Sequence, residues 1–206
     1  MVFKSNQELI DYLKKKVLKT PEIISAFLKI DRKDFVKEEY LDQAYFDTPL
    51  PTLMGQTISQ PYVVAFMLEL LEPKLKQKIL DIGFGSGWTT CLLAEITKHK
   101  VYGVEIVPEV FEFGKKNIEK YNFIKKRIVD IFLRDGSKGL PEKAPFDRIL
   151  VNAAAKKIPE ELIFQLKDRG ILVIPADEGI YKIKKINDKI EKEYYYGFVF
   201  VPLISK

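Results

Sequence analysis

The chain is short of the residues that most often move protons, hold metals or lock a fold covalently. A single cysteine, Cys91, excludes an internal disulfide, and a single histidine, His99, excludes both a histidine-rich metal site and a histidine-relayed triad. No metal is therefore expected. No apolar run approaches the roughly 18–20 residues a membrane span requires. The amino-terminal stretch MVFKSNQELIDYLKKK has no continuous apolar block after its first basic residue, so an unexported, cytoplasmic protein with no membrane partner is expected. Arginine is scarce and no basic stripe is interleaved with aromatics. The formal charge of +5 then reads as a lysine-rich solvated surface (Lys14 to Lys16, Lys125 with Lys126, Lys156 with Lys157, Lys184 with Lys185), and no nucleic-acid partner is expected. Repeats, low-complexity segments and linkers are also missing from the sequence. With 47% hydrophobic and 31% charged residues, 206 residues suit one ordinary folded domain spanning 1–206.

Helical apolar spacing at Leu9, Ile10, Leu13, Val17 and Leu18 predicts an amphipathic helix over residues 6–19, capped by Ser5 or Asn6. A second helix is expected from Pro21, with Ile23, Ile24, Ala26, Phe27, Leu28 and Ile30 around a mostly buried face. Residues 31–60 keep no sustained period and read as a long ordered loop, a kind of segment that often carries function. After a helix from Pro61 to Leu71, strand-like and helix-like segments alternate: strands at 79–82, 100–105, 127–132, 148–151 and 171–174, helices at 88–97, 108–121 and 159–166. That alternation predicts an α/β fold with a doubly wound, mostly parallel, Rossmann-like sheet. Residues 181–186 and 194–203, joined by a turn at Asn187-Asp188, are expected to form an antiparallel hairpin at one edge.

The strongest local signal is Ile79-Leu80-Asp81-Ile82-Gly83-Phe84-Gly85-Ser86-Gly87-Trp88, a buried strand running into a glycine-rich turn and then a helix. Alternate glycines let the backbone turn sharply and approach a ligand, while the helix that follows offers free N–H groups. Glu105, at the end of the next predicted strand, suits a ribose whose two hydroxyls both need an acceptor. A dinucleotide fingerprint wants G-x-G-x-x-G, but the spacing here is G-x-G-x-G and Trp88 occupies the place of the third glycine. Asp81 before the loop suits the cationic amino-acid end of S-adenosylmethionine better than a pyrophosphate. S-adenosylmethionine is the favoured ligand, with a dinucleotide or an unliganded tight turn as the alternatives. Asp135-Gly136, after the third strand, is placed to meet an adenine.

These residues, with Gly55-Gln56-Thr57-Ile58-Ser59-Gln60-Pro61, Ala144 to Asp147, Val151 to Ala155, Pro159, Gln165-Leu166 and Phe200 to Leu203, resemble the protein L-isoaspartate (D-aspartate) O-methyltransferase family from about Ile23 to Leu203. The Thr-Ile-Ser-Gln-Pro run is the family-specific piece. The resemblance implies a methyltransferase sheet over residues 61–206 that binds the donor, preceded by helices and a substrate loop in residues 1–60. It implies donor contacts from Asp81, Gly83, Phe84, Gly85, Ser86, Gly87, Glu105 and Ile106, with Asp135 and Gly136 beside the adenine. It implies a peptide site at Thr57, Ile58, Ser59, Val151, Asn152 and Ala153, with the Ser59 hydroxyl as the catalytic contact to the substrate carboxylate and the backbone around Val151 to Ala154 offered to the same substrate. The activity implied is repair: methylation of isoaspartyl proteins and peptides by S-adenosylmethionine, leaving S-adenosylhomocysteine, by a monomer. An S-adenosylmethionine enzyme acting on RNA or a small molecule, and a donor-binding protein without turnover, are the alternatives. Four features depart from the family pattern: Phe84 for a small residue, which would crowd the donor pocket; Arg134 for glycine; Asn152 for threonine or glycine; and Pro175 to Tyr181, without the usual glycine and glutamine.

Overall fold

The computed structural model describes residues 1–187 and 189–205. Asp188, half of the turn expected at 187–188, lies outside the described residues. Ser5 accepts from the Glu8 N–H (3.2 Å) and so is the residue that caps α1 (Asn6–Lys16), and Pro21 opens α2 (Pro21–Lys29). Two 3-10 turns, Arg32–Phe35 and Glu38–Gln43, and a two-residue antiparallel pair, β1 (Leu50–Pro51) and β2 (Thr57–Ile58), give the long 31–60 segment its order. Its own Phe35, Val36, Ala44, Leu50 and Ile58 are buried beneath it.

Helix α3 (Pro61–Leu71) then leads into the repeating units β3 (Ile79–Ile82), α4 (Trp88–Thr97), β4 (Val101–Glu105), α5 (Pro108–Glu119), β5 (Val129–Leu133), β6 (Phe146–Val151), α6 (Glu160–Phe164) and β7 (Leu166–Ala176). The sheet is completed by β8 (Gly179–Ile186) and β9 (Lys189–Tyr196), in the order β5-β4-β3-β6-β7-β8-β9. Pairings among β3 to β7 are parallel, whereas β7 with β8 and β8 with β9 are antiparallel. The sheet is thus the expected doubly wound one, closed by an antiparallel edge. Strand β3 lies between β4 and β6, so the chain departs in opposite directions on either side of it. The crevice beyond its carboxyl end is where such sheets take ligands. Along β3 the side chains alternate, Ile79 toward the core packed by α1 to α4, Leu80 and Ile82 toward the thinner core of Phe146, Leu162 and Leu172. Asp81 shares the face of Ile79, beneath α4.

Two expected boundaries move. Strand β7 runs to eleven residues and α6 shrinks to five, because β6 already pairs with β7 at Leu166, opposite Phe146, and β8 pairs along it from Ile171 to Ala176. The second hairpin strand is Lys189–Tyr196 and not 194–203. Gly197, at φ +96°, ends it, and the N–H groups of Gly197 and Phe198 both donate to the Glu178 carbonyl (3.0 and 3.1 Å). The alternating apolar residues that follow are buried differently. Phe198 stacks on Phe66 (5.0 Å between ring centroids), and residues 201–203 run alongside Ala154.

Candidate active site

A cleft enclosing about 780 Å³, including open solvent at its mouth, lies over the carboxyl ends of β3, β4 and β6. Its floor is the glycine loop. Gly83, Gly85 and Gly87 all take positive φ (+70°, +54° and +87°), a conformation that side chains disfavour, and the Gly83 N–H donates to the Val104 carbonyl (2.8 Å). Beyond the loop, Glu105 is almost fully buried and its carboxylate is held by backbone. Oε2 accepts from Gly85 N–H (3.1 Å), and Oε1 accepts from Ile106 and Val107 (2.8 and 3.1 Å). Two carboxylate oxygens offer about four acceptor positions, so with three taken a hydroxyl of a ligand can still be met there. Gly136 closes the far end, where a Cβ would sit 2.6 Å from Ile82 Cγ2.

Of the residues singled out from sequence, the cleft brings together Thr57, Ile58, Ser59, Gly83, Phe84, Gly85, Ser86, Glu105, Ile106, Gly136, Asn152 and Ala153. Four others stand behind this lining. Gly87 is packing: a Cβ there would meet Ile118 Cγ1 at 2.7 Å and the Gly114 carbonyl at 2.9 Å. Val151 is wholly buried in the core, and Asp135 accepts from the Ser137 N–H (2.8 Å), fixing its own turn. Asp81 is wholly buried beneath the loop. Nor is the 151–155 backbone fully open to a peptide. Ala154 N–H donates to Val201 (2.8 Å), its carbonyl accepts from Leu203 (2.8 Å), and Asn152 N–H donates to Ile82 (2.9 Å). Sequence reasoning treats residues 201–203 as the end of a strand, whereas here residues 201–204 form one wall of the cleft. Asn117 of α5, which donates to the Ser86 carbonyl (3.0 Å), gives no sequence signal because its partner is far along the chain.

Asp81 accepts from Thr90 Oγ1 (2.6 Å), Thr89 Oγ1 (2.9 Å) and Asn152 Nδ2 (2.7 Å). Burial raises its pKa from 3.8 to about 6, the nearby Glu105 pushes the same way, and the three donors oppose. The folded state therefore holds this proton more tightly than the unfolded chain. That contribution to stability is fully present below pH 3.8 and is lost as pH rises through about 6. The shift corresponds to about 3 kcal/mol. Urea unfolding of the wild type and Asp81→Asn should show wild-type stability falling relative to the variant between pH 4 and pH 6.5. A difference independent of pH would exclude this titration.

The family model for protein-L-isoaspartate(D-aspartate) O-methyltransferase matches residues 4–206. The chain belongs to this family. It is 47% identical over 193 residues to the protein-L-isoaspartate O-methyltransferase of Pyrobaculum islandicum, covering 91% of this chain and 92% of that one. It is 43% identical to the Thermococcus onnurineus protein of the same name, over 92% and 88% of the two chains. Among solved structures, a protein-L-isoaspartate O-methyltransferase of Plasmodium falciparum in complex with S-adenosyl-L-homocysteine superposes with a TM-score of 0.88 at 28% identity, over 98% of this chain and 99% of that one.

Measured against the pattern of the isoaspartyl methyltransferase family, the departures find local explanations. The Phe84 ring is buried, tilted against Phe111 (5.6 Å) and seated over Gly103 and Gly114, where added Cβ atoms would come within 3.0 and 2.6 Å of it. It turns beneath the loop, so the expected crowding of the pocket is corrected by two glycines that make room for it. Arg134 reaches out to Glu142 (2.7 Å). Asn152 lines the cleft and donates through Nδ2 to the buried Asp81 carboxylate (2.7 Å). Because an ionised Asp81 can only accept, the Asn152 amide must turn its NH₂ toward it. Pro175 to Tyr181 span the end of β7 and the start of β8, joined by a two-residue turn, Asp177-Glu178, with both residues at positive φ.

Proposed function

We propose that this protein is an S-adenosylmethionine-dependent protein-L-isoaspartate O-methyltransferase. It methylates the free α-carboxylate of L-isoaspartyl residues in damaged proteins and peptides. One observation carries the reading: Thr57 to Ser59, from the family-specific run, face the same cleft as the glycine loop and Glu105. The residues present fit the donor. Positive-φ glycines let backbone approach it, Glu105 can accept from a ribose hydroxyl, Gly136 lines the same cleft after β5, and buried Asp81 puts negative charge under the loop, where a cationic amino acid would sit.

Bound S-adenosylmethionine supplies an electrophilic methyl group on a sulfonium. The protein then has little proton chemistry to do, since a carboxylate with an ordinary pKa near 4 is already ionised at neutral pH. Ser59 donates its hydroxyl hydrogen to one substrate oxygen and leaves the other to attack. Ile58 and the Val201–Ile204 wall exclude water, which otherwise solvates both charges that the reaction cancels. The glycine loop and Glu105 would hold the donor so that its methyl could pass to the free substrate oxygen, the carbon–sulfur bonding pair staying on the sulfur. The ester is then attacked by the following backbone nitrogen, releasing methanol and a succinimide. Its hydrolysis returns part of the material to normal aspartate.

The same reading takes residues 1–206 as one catalytic unit, because loop residues before 61 and sheet residues after it line a single cleft. It takes the protein as a cytoplasmic monomer acting on peptides without nucleic acid. No described helix is long and apolar enough to cross a membrane.

Labelled donor with an isoaspartyl peptide and its aspartyl twin tests the activity: label should enter the isoaspartyl peptide alone. Equal labelling, or none, refutes it, and transfer to bulk tRNA would favour a nucleic-acid substrate. Ser59→Ala should lower kcat/KM for the peptide about tenfold, the worth of one hydrogen bond to a charged group, and leave donor affinity unchanged. Loss of donor affinity in that variant would move Ser59 out of the peptide site.

A further inference from the structure

Arg32 is the bulkiest of the fully buried side chains, although its setting, Asp31-Arg32-Lys33, looks like exposed surface. It lies outside the cleft, at the start of the first 3-10 turn. One amino group of its guanidinium, Nη1, donates to the carbonyls of Ala44 (2.7 Å) and Phe46 (3.2 Å). The other, Nη2, donates to those of Thr48 (2.9 Å) and Ser59 (3.2 Å). Four carbonyls of the 44–59 loop thus converge on one planar group, and the last belongs to the residue that the isoaspartyl reading sets against the substrate carboxylate. The guanidinium also lies against the Trp88 ring, 5.5 Å from its centroid. Trp88 opens α4 directly after the glycine loop and lines the cleft.

No carboxylate among the described residues forms an ion pair with Arg32, and its Nε has no partner. Nearby Asp47 is occupied by Tyr62 N–H (2.9 Å) and Gln60 Nε2 (3.2 Å). Burying a charge this way costs desolvation that an apolar side chain of similar size would avoid. What an apolar side chain lacks is a rigid fork of donors able to hold several carbonyls in one plane while stacking on a ring. Lysine lacks it too, because its donors radiate from one atom.

We infer that Arg32 is a positioning residue for methyl transfer: by clamping the carbonyls of Ala44, Phe46, Thr48 and Ser59 and stacking on Trp88, it sets the peptide loop against the donor loop. The inference rests on the isoaspartyl reading of the cleft. Its action passes through Ser59. A loop that sags away from α4 still leaves the glycine loop and Glu105 in place, and Trp88 keeps its edge contact with Phe27 (5.5 Å) and its hydrogen bond to the Ile30 carbonyl (3.4 Å). Donor affinity should therefore survive while peptide turnover falls.

The test compares the wild type with Arg32→Lys, Arg32→Met, Lys33→Ala and the double variant Arg32→Lys/Ser59→Ala. Each is assayed for kcat and KM with the isoaspartyl peptide, donor affinity by calorimetry and melting temperature. Arg32→Lys should lose about 10- to 100-fold in kcat/KM, the scale expected when a reacting group is displaced by about 1 Å, with donor affinity retained. Lys33→Ala, exposed in the same turn, should match the wild type. In the Ser59→Ala background, Arg32→Lys should add little, since residues acting through one contact are not additive. Arg32→Lys with wild-type kinetics and only a lower melting temperature overturns the inference, as do losses that multiply in the double variant. Arg32→Met with both kcat and peptide KM unaltered would assign the residue to packing alone; should that variant not fold, the lysine variant and the double variant decide. A wild-type enzyme that does not label the isoaspartyl peptide takes the functional reading and the inference down together, whereas an active wild type with indifferent variants sinks only the inference.

Discussion

Phe84→Thr should melt roughly 10 °C below the wild type, even though it introduces a residue of the size other isoaspartyl methyltransferases carry there. The ring is buried against Phe111 and covers Gly103 and Gly114, and neither glycine has a side chain to fill the space it would vacate. Removing a buried phenylalanine ring costs about 3–5 kcal/mol, since the lost contacts and the residual cavity both count. Threonine returns a little of this and adds a hydroxyl that needs a partner. Donor affinity should not improve, because the ring points beneath the loop and not into the cleft. Scanning calorimetry with donor titration checks both halves. A variant that melts like the wild type and binds donor more tightly would mean that Phe84 obstructs the pocket.

Glu105→Ala should weaken donor binding about 10- to 100-fold, the worth of one hydrogen bond from a ribose hydroxyl to a charged acceptor. The same carboxylate also satisfies the N–H groups of Gly85, Ile106 and Val107, so its removal leaves three donors at the turn without their acceptor. The loop that must receive the ligand would then be less well held before any ligand arrives. Glu105→Gln keeps an oxygen for part of this work and should fall between the two. Calorimetry on both variants, with isoaspartyl methylation at saturating donor, separates binding from turnover. Methylation should recover substantially for Glu105→Ala when donor is raised. A donor affinity unchanged by the substitution would remove Glu105 from the ribose.

Much of this arrangement is legible in the sequence because its signals are local. The strand, glycine loop and helix from Ile79 to Thr97 lie consecutively, and their periods and glycines specify β3, the turn and α4 at the observed boundaries. Pro61 and Pro108 likewise mark the starts of α3 and α5. The contacts that stay hidden connect distant positions. Asp81 meets Asn152 across the sheet, Phe84 needs glycines on β4 and α5, and Arg32 gathers carbonyls scattered over the 44–59 loop. Residues 198–203 mislead for another reason. Apolar alternation reports that alternate side chains are buried but not what buries them, and here Phe66 and Ala154 do so in place of a neighbouring strand.

The wall at Val201–Ile204 also has a consequence for the order in which the enzyme comes into being. Every other residue of the lining, from Gln56 to Ala153, is encoded earlier, so this wall is the last part of the cleft to be made. Domains begin to fold as they emerge. The flank is thus the last side of the cleft that can close, when residues 201–203 dock on Ala154.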